Sequence, residues 1–289
     1  MSETWTVRRV IGWTTDYFGR REVDAPRLTA EVLLAHVLRA TRVQLYIDLD
    51  RPLSKKELAD CRGLIERRVA GEPTQYLTGT REFYGRPFAV DHRVLIPRPE
   101  TELLVEKVLR AIPRQAPCRV LDLCTGSGCI AATVAAERPD ASVVATELSK
   151  DASEVARANA ATLKVADRVR VLEGDLFGPL EPGSLFDVAV SNPPYVPTAE
   201  IPGLSAEVRR EPVLALDGGE DGLEVIRKLV ARAPHWLRPG GLLALEIHEA
   251  RGAEVLKLLQ SAGFERAGLE KDFSRLDRVA FGYKPSLER

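Results

Sequence analysis

At 289 residues the chain is long for one compact domain and short for three, which favours a small module beside a full α/β domain. Its 41 basic residues are balanced by 42 acidic ones, and the formal net charge of -1 argues against a chain-wide electrostatic grip on nucleic acid. The four cysteines, Cys61, Cys118, Cys124 and Cys129, contain no C-x-x-C pair and the four histidines are scattered, so neither a zinc site, nor any other metal site, nor a disulfide framework is indicated. Met1 to Val10 carries charges and no apolar core of a signal peptide. The apolar runs stop well short of the roughly 20 residues of a membrane-spanning helix. The expectation is a cytoplasmic protein with reduced thiols and no membrane association.

Residues up to about Gly71 have helical periodicity. Val10, Ile11 and Trp13 lead into Tyr17 and Phe18, and Leu28, Val32, Leu33, Leu34, Val37 and Leu38 recur at helical spacing. Asp24 ahead of Pro26 predicts a side-chain cap and a proline in the first turn. Ser54 predicts the start of a charged amphipathic helix, Lys55 to Val69, which ends at Gly71-Glu72-Pro73. Residues 1–73 thus form a small helical bundle with no chemistry of its own. Residues 74–96 are expected to form a linker built on a β-hairpin, with Phe83, Tyr84 and Phe88 around a Gly-x-Pro turn.

Over residues 97–289 short apolar runs alternate with helical patterns. The predicted strands are Arg119–Leu123, Ser142–Thr146, Val169–Glu173, Phe186–Ser191 and Leu242–Ile247. Helices are predicted around Ile130–Glu137, Ala152–Leu163, Leu223–Trp236 and Ala253–Ala262. Almost continuously apolar strands separated by helices mean an α/β fold, a doubly wound and mostly parallel sheet covered on both faces. Phe264–Leu269 and Arg278–Gly282, with no helix between them, give it an antiparallel edge.

Four sites in this region carry chemistry. The first strand runs through Asp122 into Cys124-Thr125-Gly126-Ser127-Gly128 and then a helix, a loop whose glycines let backbone approach a ligand. It is not a phosphate loop, since no Gly-Lys-Ser/Thr follows, and Ala131 breaks the dinucleotide spacing G-x-G-x-x-G. Asp122 would repel a pyrophosphate and attract a cationic amino-acid moiety. Glu147 closes the next strand, about 20 residues past the glycine loop, where a carboxylate binds ribose hydroxyls; Ser149-Lys150-Asp151 behind it equally suits a helix start. After the third strand, Asp175 is placed to accept from an adenine amino group, with Leu176 or Phe177 packing on the ring; a turn acid beside a core aromatic is the plainer alternative.

The fourth stretch is Ser191-Asn192-Pro193-Pro194-Tyr195. Ligands of open α/β sheets gather beyond the carboxyl ends of the strands, which sets this loop facing the glycine loop. Two prolines stiffen it and donate no N–H. Asn192 offers a side-chain acceptor, the Pro193 carbonyl a second, and Tyr195 a flat face. Together they suit an NH2 on a planar conjugated carbon, whose two hydrogens are held so that the nitrogen lone pair is freed toward an electrophile.

Asn192-Pro193-Pro194-Tyr195 with the Asp122-to-Gly128 loop resembles the amino-methyltransferases that use S-adenosylmethionine, which include enzymes acting on DNA adenine and on protein glutamine. Leu95-Ile96-Pro97-Arg98-Pro99-Glu100-Thr101-Glu102, with Gly79-Thr80-Arg81-Glu82-Phe83-Tyr84 upstream and Lys271-Asp272…Asp277-Arg278-Val279 at the end, narrows the resemblance to the HemK/PrmC family. It covers essentially the whole chain. It implies a Rossmann-like class I methyltransferase fold, with transfer of methyl from S-adenosyl-L-methionine to the glutamine amide nitrogen of the Gly-Gly-Gln loop in class I peptide chain release factors. The product would be S-adenosyl-L-homocysteine. Asn192, Pro193 and Tyr195 are then the catalytic residues, and Pro194 and Arg98 join them in binding substrate, with Arg98 near the entrance. Asp122, Cys124, Thr125, Gly126, Ser127, Gly128, Glu147, Asp175, Leu176 and Asn192 are then the cofactor residues, and residues 1–73 a substrate-docking domain. Cys124 departs from the glycine of many methyltransferases, and Glu147 from the aspartate of several relatives.

Three rivals set the contrast. An adenine amino-methyltransferase would use the same loop on a flipped base, but no basic or base-reading domain is visible, and no stable nucleic-acid binding is expected. A non-catalytic binder has no need of two acceptors and an aromatic face. A dehydrogenase would need the full dinucleotide spacing.

Overall fold

A computed structural model describes residues 4–286. They divide into two compact units, one formed by the residues up to Thr80 together with Ser205–Arg210, the other by Arg81–Leu204 and the chain from Glu211 onward. The chain passes from the first to the second inside the segment predicted to be a linker.

The first unit contains α1 (Val7–Gly19), α2 (Pro26–Leu38), α3 (Arg42–Ile47), α4 (Lys55–Val69) and α5 (Thr74–Thr78). Ser54 and Glu57 form a reciprocal capping box on α4, as do Thr41 and Gln44 on α3. Helix α2 starts differently from the sequence expectation. Its cap is Ala25, held at φ 44° and ψ 60° with no side-chain hydrogen bond, while the Asp24 carbonyl accepts from the Thr29 hydroxyl. A proline at the first helical position disfavours the α conformation for the residue before it, and Ala25 takes the left-handed region instead. Val7, Ile11, Phe18, Leu33, Leu34, Leu45 and Ile65 form the core. Within it Glu31, 1% exposed, accepts from Arg27, Arg42 and Tyr46 and so ties α2 to α3.

The predicted hairpin is β1 (Thr80–Phe83) and β2 (Arg86–Ala89). Its turn is Tyr84-Gly85, both at positive φ, the conformation that matches strand twist. Phe83 and Phe88 bury their rings edge to face, 6.0 Å apart.

The second unit continues with α6 (Thr101–Ala111), β3 (Cys118–Leu123), α7 (Cys129–Glu137), β4 (Ala141–Glu147), α8 (Lys150–Thr162), β5 (Val169–Glu173), β6 (Phe186–Ser191), α9 (Glu224–Trp236), β7 (Leu237–Glu246), α10 (Gly252–Ser261), β8 (Glu265–Lys271) and β9 (Asp277–Tyr283). These strands form a seven-stranded sheet in the order β5-β4-β3-β6-β7-β9-β8. The first five are parallel, and β9 runs antiparallel to β7 and β8. Alternate residues face opposite layers. Val120, Val188 and Val190 pack with α6, α7 and α8; Leu121, Leu123 and Leu243 pack with α9 and α10. Each such burial contributes about 1.5–3 kcal/mol, so both faces need their helices. The order reverses between β3 and β6, which makes their carboxyl ends the crevice for a ligand. Leu123 pairs with Thr146 on one side and Ser191 on the other, so the glycine loop emerges between Glu147 and Asn192.

The chain between β6 and α9 has no predicted elements. It forms three short 3-10 turns, Thr198–Gly203, Val208–Arg210 and Val213–Ala215, where the sequence shows no period. Among the described residues no helix is long and apolar enough to cross a membrane.

Candidate active site

The glycine loop turns through the left-handed region three times, at Cys124 (φ 59°), Gly126 (φ 56°) and Gly128 (φ 77°). Added to Gly128, a Cβ would stand 3.2 Å from the Ala156 Cα, so α7 and α8 meet across a hydrogen atom. Cys124 occupies its left-handed position with a side chain, at a cost of about 1–2 kcal/mol. Burial pushes its thiol well up, so the sulfur stays neutral.

Asp122 lies beneath the loop, fully buried, and is not part of the cavity wall. Its Oδ2 accepts from the Thr125 hydroxyl at 2.5 Å and the Ala131 N–H at 3.2 Å, while Oδ1 has no hydrogen-bond partner. Burial raises its carboxyl to about 7, opposed by the Thr125 hydrogen bond. A buried carboxylate with an open oxygen suits a positive charge above the loop.

Glu147 stands on the cavity wall with its carboxylate gripped by backbone, Oε2 by Gly126 N–H at 2.8 Å and Oε1 by Ser149 N–H at 2.9 Å. Each oxygen keeps a lone pair for a hydroxyl. Asp175 and Leu176 line the same cavity. Phe177, the alternative to Leu176 for an aromatic ligand, is turned into the core, where it stacks on Trp236 at 6.0 Å. With Thr125, Gly126, Ser127, Ile130 and Leu148, these residues give a polar edge and apolar sides. That donor set fits an amino-acid nucleoside: carboxylate for ribose, apolar faces for a base, buried acid for an ammonium.

Asn192 and Pro194 also line the cavity; Pro193, Tyr195 and Arg98 do not. Ser191 Oγ donates to the Leu123 carbonyl at 2.6 Å, locking the two loops together. Asn192 Nδ2 donates to Thr101 Oγ1 at 3.2 Å, and Thr101 Oγ1 donates to Glu246 Oε2 at 2.6 Å. The Tyr195 phenol donates to Glu246 Oε1 at 3.1 Å, and its ring meets His248 edge on. The ring thus does not offer its flat face to the cavity, since a buried phenol needs a partner and Glu246 provides it. Arg98 is likewise engaged. It pairs with Glu211, a buried acid whose other oxygen accepts the Ile96 N–H at 2.9 Å. Glu211 so anchors the Ile96–Arg98 turn to the segment Pro212–Asp217, whose Pro212, Leu214, Ala215 and Asp217 face the cavity.

Several of these residues went unrecognised in the sequence. Thr101 sat within the quoted Leu95–Glu102 stretch, and Glu246 was signalled by an acid ending the apolar run Leu242–Leu245. Gly218 and Gly222 were signalled by the cluster Gly218-Gly219-Glu220-Asp221-Gly222. Given a Cβ, Gly218 would come within 2.8 Å of the Tyr195 Cα, and Gly222 would strike the Tyr195 carbonyl oxygen. These two glycines hold the Asn192–Tyr195 loop from behind.

Comparison with known proteins adds a second line of observation. Residues 9–79 match the family described as PrmC N-terminal domain, and residues 99–205 match the methyltransferase small domain. The chain is 45% identical over 281 residues to the release factor glutamine methyltransferase of Geobacter sulfurreducens, covering 97% of each chain. It belongs to the release factor glutamine methyltransferase family. To the member from Chlorobaculum tepidum it is 43% identical over 285 residues, covering 96% of each chain. A member of this family is a methyltransferase. Solved structures agree on the fold. A methyltransferase from Pyrococcus furiosus matches with a TM-score of 0.53 at 22% identity, covering 70% of this chain and 91% of that one. The 16S rRNA N2 G1207 methyltransferase of T. thermophilus, in complex with AdoMet and guanosine, matches with a TM-score of 0.53 at 21% identity, covering 71% of this chain and 49% of that one.

Proposed function

We propose that this chain methylates the side-chain amide nitrogen of the glutamine in the Gly-Gly-Gln loop of class I peptide chain release factors, in the cytoplasm, and that the crevice between β3 and β6 is where it does so. The observation that carries the reading is the convergence of Asn192 with Glu147, Asp175 and the glycine loop on one cavity. Bound S-adenosylmethionine supplies a sulfonium methyl for in-line displacement by the amide nitrogen. Glu147 receives its ribose, Asp175 and Leu176 its base, and Asp122 with the Cys124–Gly128 loop its amino-acid end. Asn192 Oδ1 and the Pro193 carbonyl accept the two amide hydrogens, weakening conjugation with the carbonyl so that the nitrogen lone pair faces the methyl group. The alkylated nitrogen is strongly acidic and loses its proton to water, so no dedicated base is required. Catalysis comes from positioning and from acceptors already in place. Pro194 packs against the substrate loop, while Tyr195 and Arg98 brace the site through Glu246 and Glu211. The helical unit grips a release-factor face away from the glutamine, and no stable hold on nucleic acid is needed.

The test is label transfer. With tritiated methyl donor, a class I release factor becomes labelled, and the label vanishes when its loop glutamine is replaced. Labelling of DNA or of ribosomes in place of release factor overturns the reading.

A further inference from the structure

A carboxamide has two ends of nearly the same shape and opposite hydrogen-bonding sense. Clamping a substrate NH2 requires that Asn192 show it oxygen; turned over, it would set a donor against a donor. The residue alone has no reason to choose. Behind it lies a buried chain of groups that does.

We infer that Thr101 and Glu246 are positioning residues that fix the Asn192 carboxamide with Oδ1 toward the substrate. The inference rests on the proposed role of Asn192 as an acceptor. Glu246 ends β7 at 1% exposure, after four apolar residues, and a buried acid is costly unless its oxygens are satisfied. It accepts from two hydroxyls, Thr101 at Oε2 and Tyr195 at Oε1. Thr101 is 1% exposed and its hydroxyl has a single hydrogen, which the 2.6 Å bond to Glu246 uses. The Thr101 oxygen is then only an acceptor toward Asn192, so Asn192 must offer it Nδ2, as the 3.2 Å contact has it. Oδ1 is left for the cavity that Asn192 lines. The acceptor-only character of a carboxylate thus passes through one hydroxyl to orient an amide that Glu246 does not touch.

The orientation holds while Glu246 is ionised. A protonated Glu246 donates to Thr101 and releases the Thr101 hydrogen toward Asn192 Oδ1. Burial raises the Glu246 carboxyl, and Glu100 ahead of α6 adds to this. Hydrogen bonds from Thr101 and Tyr195, and the Arg278 charge on β9, act against it. Cys129 on α7, itself pushed up by burial, stays a neutral thiol nearby.

Four enzymes decide the matter: Thr101→Val, Thr101→Ser, Asn192→Ala and the Thr101→Val/Asn192→Ala double variant, each assayed on intact release factor. Thr101→Val keeps the shape and removes the relay, so kcat falls at least about 10-fold while KM for release factor and cofactor affinity are kept; Tm drops, because the buried Glu246 loses a donor, and Thr101→Ser restores it. Thr101→Ser restores turnover, and the double variant is no slower than Asn192→Ala, because Thr101 acts through Asn192. The wild-type rate falls as pH is lowered through the raised Glu246 titration, and Thr101→Val lacks that limb. Normal turnover by Thr101→Val, losses that multiply in the double variant, or parallel pH profiles overturn the inference while leaving Asn192 as the clamp. Normal turnover by Asn192→Ala overturns the clamp itself.

Discussion

At the residue scale, the site is built from groups that the fold holds at some expense. Asp122 is the clearest case. Its carboxyl, raised by burial to about 7, makes the folded protein bind a proton that the unfolded chain releases at ordinary carboxylate pH. Folding stability contributed there falls as pH rises from about 4 toward 7. The Asp122→Asn variant should therefore melt higher than wild type in mildly alkaline buffer, with the advantage gone in acid, and bind S-adenosylmethionine more weakly because the ammonium loses its counter-charge. A variant that melts no higher and binds as well removes Asp122 from the cofactor's surroundings. Glu147 acts through hydrogen bonds, its carboxylate accepting from the Gly126 and Ser149 N–H groups. Glu147→Ala should weaken cofactor binding by about 1–3 kcal/mol in calorimetry; unchanged affinity would move the ribose site elsewhere.

At the scale of elements, what was legible in the sequence follows the physics of burial. Strands β5 and β6 have the predicted ends, because buried parallel strands are unbroken apolar runs. Strand β7 starts five residues earlier than the predicted Leu242, at Leu237, since Arg238-Pro239-Gly240-Gly241 hides its apolar beginning. The 3-10 turns after β6 were illegible for want of any period, and Asp24 lost the cap to backbone geometry at Pro26. Side-chain direction was the least readable level: no spacing rule tells that Tyr195 turns to Glu246 or Phe177 to Trp236. Two elements carry predictions. Gly222→Ala should displace the Tyr195 backbone and lower turnover more than cofactor affinity, since the glycine loop lies elsewhere; a parallel loss of both would mean general disruption. In the helical unit, hydrogen bonds from Tyr46, Arg42 and Arg27 outweigh burial and hold Glu31 below the usual glutamate range. A depressed carboxylate stabilises the fold above its unfolded pKa and loses that contribution as pH falls through its folded pKa. Glu31→Gln should lower Tm at neutral pH by the equivalent of about 1–3 kcal/mol, with the gap narrowing in acid. A gap independent of pH would mean that the charge of Glu31 does not matter.

For the whole molecule, the division of labour between units has its own test. Val43 and Ile47 on α3 are 69% and 73% exposed, one helical turn apart on the helical unit. If that unit holds the protein substrate, Val43→Glu with Ile47→Glu should reduce kcat/KM on intact release factor by about 10-fold or more, as loss of remote binding energy does. Methylation of a short Gly-Gly-Gln peptide should not change. Equal losses on both would assign the helices a purely structural task.

The hydrogen bond between Thr101 and Glu246 joins residues 145 positions apart. A chain made from its amino terminus therefore delivers the residues that line the cavity, the last of them Val225, before the acid that sets the amide clamp. Until Glu246 is added at the end of β7, the Asn192 carboxamide has nothing behind it to fix which end faces the substrate.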